Sequence, residues 1–144
     1  MLIVTNPLNS SELIFPTLEC IHILGFALSV GTIAILDFRL LGMGMRRQAV
    51  SALGKDLAPW TLFGLAVMLI SGPLLFSSDP DMYYLNYAFN TKMVVLLLAI
   101  IFNYTAHRKA VAADASGGRA KLIAIVSLVL WVGVVTGGIF IGFV

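Results

Sequence analysis

Four stretches of this sequence, at about residues 17–41, 59–77, 88–107 and 122–143, are almost continuously apolar. Each approaches the roughly 20 residues needed to cross the hydrocarbon core of a bilayer. In lipid, every backbone N–H and C=O must find a partner inside the protein, so segments of this length are read as spanning helices. Composition agrees. Of 144 residues, 60% are hydrophobic and only 11% charged, with a mean hydropathy of +1.00, whereas about a quarter of a soluble domain is charged. The expected fold is an all-α integral membrane four-helix bundle, a single four-span domain over residues 1–144 whose first partner is the lipid bilayer.

Charge placement sets the orientation. Of the nine Lys and Arg residues, Arg39, Arg46, Arg47, Lys55, Arg108, Lys109, Arg119 and Lys121 fall at the first and third connections, and only Lys92 lies at the other end. The positive-inside rule then puts both termini on the non-cytoplasmic side. The formal charge of +2 belongs to these short connections and implies no nucleic-acid partner. The opening MLIVTNPLNSSELIF lacks the basic start and cleavage pattern of a signal peptide, so the first span is expected to persist in the mature protein. The connection after it carries Val50, Leu53 and Leu57, which suit the membrane surface. Pro59 and Trp60 then suit the start of the second helix, and Ser71-Gly72-Pro73 should kink it.

The first span carries ionisable residues near both ends, Glu19 and His22 at one, Asp37 and Arg39 at the other. At about 100° per residue, Glu19, His22, Phe26, Ser29, Ile33, Asp37 and Leu40 share a stripe flanked by Gly25 and Thr32. Ionisable groups at membrane depth are costly and mark function by default, so this face should look into protein. Lys92, Leu96, Ala99, Asn103 and His107 form a comparable stripe in the third span. In the fourth, Gly133 with Gly137 and Gly138 with Gly142 make small-xxx-small pairs suited to close helix contact, from which a homo-oligomer is expected.

These residues support haem b first. A haem needs an axial ligand, a flat apolar slot and a polar or cationic partner for its propionates. His22 supplies the ligand, Gly25 and Ser29 leave room for the ring, and Phe26 can pack on its face. Glu19 would orient the imidazole, and Lys92 would meet a propionate. A histidine bonded to Glu19 or to a neighbouring helix, simply joining the bundle, is the competing reading. His107 is a second candidate metal ligand, although its position before Arg108 and Lys109 favours an interfacial histidine facing headgroups. At ~1.5 Å per residue the two histidines differ by about 20 Å in depth, so one subunit cannot place both on one iron.

Copper is the alternative cofactor, because Cys20, His22, Met43, Met45 and Met82 are soft or borderline ligands; yet Cys20 and His22 point to nearly opposite sides of a helix. The lone cysteine excludes an intrachain disulfide. A di-iron carboxylate centre needs more glutamates than Glu12 and Glu19. A proton or solute carrier through Glu19, His22, Asp37 and Lys92 remains open, as does a purely structural subunit, and Asp37 with Arg39 reads most simply as an interfacial pair. No nucleophile, phosphate-loop or nucleic-acid motif is present, so an enzyme, if any, would be a membrane oxidoreductase with an unidentified redox partner.

The combination of Glu19-x-x-His22, the run Leu36 to Gly42, Pro59-Trp60-Thr61, Ser71-Gly72, Lys92 and Leu130-Trp131-x-Gly133 resembles a family of small, uncharacterised four-span bacterial membrane proteins, over nearly the whole chain. More distantly it is similar to copper-resistance D type membrane domains and four-helix b-type cytochromes. That resemblance implies a transporter or an electron carrier.

Overall fold

The computed structural model describes residues 6–144 and is all-α. A single turn at Pro7–Asn9 leads into α1, Ile14–Leu40, and α2 follows at Val50–Ser78. A short α3, Pro80–Tyr84, precedes α4, Tyr87–Phe102. One π-helical turn, Asn103–His107, joins α4 to α5, Arg108–Ala112, and the last helix, α6, is Gly117–Phe140. Four helical rods, with α4 to α5 counted as one, are long and apolar enough to cross a membrane.

The helix ends follow local chemistry. Pro16 lies in the first turn of α1, where a missing N–H costs nothing. After Leu40 the chain turns through Gly42 (φ +81°) and Gly44 (φ +73°), a backbone region that glycine enters without steric cost. Asp79 accepts from the Met82 N–H at 3.2 Å to cap α3, and Asn86 accepts from the Phe89 N–H at 3.0 Å to cap α4. The start of α2 has no local side-chain cap. Instead Asp114, from the α5–α6 connection, accepts from the Ser51 N–H and from its hydroxyl, both at 2.8 Å.

The second helix differs from expectation. It begins at Val50 rather than Pro59 and runs unbroken through Pro59 and Pro73. Val50 and Leu53 pack with Leu36, Leu40, Val111, Ala120 and Ala124 in a second core cluster, with Leu57 against it. That buried face holds the extra turns, and Pro59 frees only the carbonyl of Lys55, an exposed residue. The main core, Ile33, Leu65, Met68, Leu96, Ala99, Trp131 and Val134, fills the middle of the bundle.

Packing is uneven around the bundle. Backbones close along α1–α2, α4–α6 and α1–α6, and α2 meets α5, but α2 and α4 make no comparable contact. The two rods therefore diverge from the end carrying the basic connections toward the end carrying the termini. There the opening is spanned by aromatic rings, with Phe76 stacked on Phe89 at 5.6 Å and Tyr83 at 5.5 Å from Phe89. The two ends are called basic and aromatic below.

The glycines of α6 face α4. A Cβ on Gly137 would lie 2.9 Å from Lys92 Cβ, one on Gly133 3.2 Å from Val95 Cγ1, and one on Gly138 3.2 Å from Lys92 Nζ. These small residues bring α6 onto α4 within one chain, which is where the close approach they allow is used.

Candidate functional site

At the aromatic end, His22 of α1 meets Ser71 of α2, with Nδ1 2.7 Å from Oγ. Ser71 Oγ also lies within donating distance of its own helix, 2.7 Å from the Val67 carbonyl and 3.3 Å from that of Met68. With its hydrogen on a carbonyl, the hydroxyl accepts from the imidazole, Nδ1 is the donor and Nε2 keeps its lone pair in the neutral ring. Sequence reasoning assigned this orienting role to Glu19. The structure gives it to Ser71, whose small-polar, mid-helix character signalled only a kink.

Glu19 is exposed and makes no hydrogen bond among the described residues. Its charge acts elsewhere. Tyr83 is held above the usual phenol range, first by burial and then by the neighbouring negative charges of Glu19 and Asp79.

The expected recess beside Gly25 and Ser29 is filled. A Cβ on Gly25 would fall 2.7 Å from Val67 Cγ1 and 3.0 Å from the Gly64 carbonyl oxygen, and Ser29 is fully buried. The small residues of α1 admit α2, not a ligand. Phe26 packs against the main core. Lys92 is half-buried on α4, near enough to His22 for its charge to act on the imidazole. Among the described residues it forms no ion pair and no hydrogen bond. His22, Ser71 and Lys92 thus gather from α1, α2 and α4 where α2 and α4 diverge.

The basic end holds a second polar centre. Asp37 is 0% exposed; its Oδ1 lies 2.7 Å from His107 Nε2, and its Oδ2 accepts from Ser127 Oγ at 2.7 Å. His107 is 2% exposed, so it does not face headgroups, and Arg39 points its guanidinium at the Gln48 carbonyl rather than at Asp37. Both interfacial readings are corrected. The π-helical turn sets the azimuth of His107, and the stripe containing Asn103 and His107 was the available signal. Ser127 was missed, since one serine in an apolar helix carries no pattern.

The two centres are separated by the apolar core, with the Thr32–Thr61 hydroxyl pair at 2.7 Å as a polar contact between α1 and α2 along the way. Of the four residues Glu19, His22, Asp37 and Lys92, Asp37 thus lies at the basic end and the other three at the aromatic end. Residues 12–144, which include both centres, match a family of unknown function, DUF6644. The chain belongs to that family. The expected kinship with small membrane proteins of unknown function holds at that level, and the DUF6644 match names no chemistry. No curated protein and no solved structure matches it. Among the described residues of this DUF6644 member, no three His, Cys, Asp or Glu side chains converge on one point. Cys20 is exposed, and Met43 and Met45 belong to the basic end, away from His22.

Proposed function

We propose that the chain is a membrane b-type haem protein with an electron-transfer role, the haem being held at the aromatic end through His22 Nε2. The observation that carries this reading is the 2.7 Å contact between His22 Nδ1 and Ser71 Oγ, which occupies one ring nitrogen and leaves Nε2 as the available ligand atom. Haem, when bound, supplies reversible one-electron chemistry. Ser71 fixes the ring and its tautomer, as hydrogen-bond partners of ligating histidines generally do. Lys92 offers a counter-charge for a propionate. Phe76, Tyr83 and Phe89 shield this end from water and offer apolar faces to the ring. Gly25 and Ser29 take no part.

A bare copper ion is less well served, because it needs several convergent protein ligands and haem brings four of its own. The resemblance to bacterial membrane proteins favours a bacterial inner (cytoplasmic) membrane, and the basic connections favour both termini on its non-cytoplasmic side.

Protein purified from haem-sufficient cells is expected to show a Soret band. His22→Ala should abolish or strongly shift it, and Ser71→Ala should retain haem with an altered midpoint potential. A colourless wild-type preparation, or an unshifted full haem complement in His22→Ala, overturns the assignment.

A further inference from the structure

The centre at the basic end, which the haem reading does not use, has a chemistry of its own. Asp37 presents a fully buried carboxylate whose two oxygens are both engaged, one by His107 Nε2 and one by the Ser127 hydroxyl. His107 Nδ1 has no hydrogen-bond partner among the described residues. No further charge reaches in. On α1, Arg39 is turned to Gln48; Arg108, Lys109, Arg119 and Lys121 are exposed; α2 carries no charged residue between Asp56 and its end; α6 has none after Lys121.

With neutral His107, the pair carries one net negative charge inside an apolar helix bundle. A buried charge without compensation is costly. Compensation by a metal cation would need several converging protein ligands, and among the described residues no third His, Cys, Asp or Glu joins the pair. Compensation by a proton needs only a free nitrogen, and Nδ1 is free.

We infer that Asp37 and His107 form a one-proton binding site in the basic half of the bundle, with His107 Nδ1 as the atom that gains and loses the proton. In the unloaded pair, His107 donates from Nε2–H to the Asp37 carboxylate, and Nδ1 holds a lone pair. One proton added to Nδ1 gives an imidazolium facing a carboxylate. Moving the bridging hydrogen from Nε2 to Oδ1 gives a neutral acid facing a neutral imidazole. Both forms of the loaded pair carry zero net charge, and in both the hydrogen sits on Nδ1, so the location of the bridging hydrogen does not alter the assignment. The π-helical turn, a device found often at functional sites, carries Asn103 as well. That residue is 7% exposed and places a second polar group on the same turn.

The test uses the full chain in lipid nanodiscs, labelled with 15N-histidine, in the His22→Gln background where His107 is the only histidine. On going from alkaline to acidic pH, Nδ1 should change from unprotonated to protonated. The infrared carboxylate band of Asp37, assigned by its shift in Ser127→Ala and its loss in Asp37→Asn, should change over the same pH interval. Four outcomes overturn the inference. They are an Nδ1 whose protonation is constant wherever the fold persists, an alkaline form whose bare nitrogen is Nε2, an Asp37 band that does not follow Nδ1, and a response of Nδ1 to sodium or potassium at fixed pH. Haem content does not enter these readouts, so this inference and the haem reading fail separately.

Discussion

Gly64 of α2 lies so close to Gly25 of α1 that a Cβ on Gly64 would sit 2.6 Å from the Gly25 carbonyl oxygen and 2.7 Å from the Ser29 nitrogen. The obstacles are backbone atoms, which cannot rotate away. This crossing sets the depth at which α1 and α2 meet, and with it the hydrogen bond from His22 to Ser71.

Gly64→Ala should therefore destabilise the protein by about 1–3 kcal/mol, the usual cost of overpacking. Gly31 provides the contrast, since nothing lies within 4 Å of its added Cβ, and Gly31→Ala should be neutral or slightly stabilising. Thermal unfolding in detergent, followed by circular dichroism, checks the pair. Equal melting temperatures for the two variants would contradict the close crossing.

The two partners of Asp37 should differ in weight. His107→Ala leaves a buried carboxylate without its charged or chargeable partner, for which about 3–5 kcal/mol is expected. Ser127→Ala removes one hydrogen bond to the same carboxylate, about 1.5–3 kcal/mol. Because both substitutions act on Asp37, the double variant should lose less than the two single losses added together. Unfolding free energies for the cycle provide the measurement.

The Asp114 staple should depend on pH. Donation from the Ser51 backbone N–H, and then from its hydroxyl, holds the Asp114 carboxyl below the usual carboxylate range. A carboxyl lowered on folding contributes stability that is full above its unfolded value of about 3.9 and is lost as pH falls through its folded value. Ser51→Ala should lower the melting temperature at neutral pH, and the difference from wild type should shrink below about pH 4. In an Asp114→Asn background, the difference should not vary over that range.

Glu19 should report through Tyr83. Burial is the main cause of the raised phenol, and the Glu19 charge adds to it. Glu19→Gln should move the phenolate titration of Tyr83 to lower pH without returning it to the ordinary range. The measurement is phenolate absorbance in a Tyr84→Phe, Tyr87→Phe, Tyr104→Phe background, where Tyr83 is the only tyrosine left.

The sequence by itself determined the four helices and the two polar stripes, because each of these is local. A run of apolar residues must satisfy its own backbone in lipid, and residues three or four apart share a face wherever the helix goes. Hence the burial of Ser29, Ile33 and Leu40, and of Leu96, Ala99 and Asn103, was legible in the sequence, whereas Asp37 and His107 lie on the same stripes but near span ends, where an interfacial position reads equally well. Which groups meet across the faces was not legible there. Ser71 is 49 residues from His22, and His107 is 70 from Asp37; these pairings depend on the depth and rotation of helices set by the Gly25–Gly64 crossing and by the π-helical turn. The small residues show the same division. Their spacing announced close approach, but only packing decided that Gly25 receives α2 instead of a ligand and that Gly133 and Gly137 receive α4. Close approach is a property of one surface, whereas its occupant depends on every other surface competing for the same space.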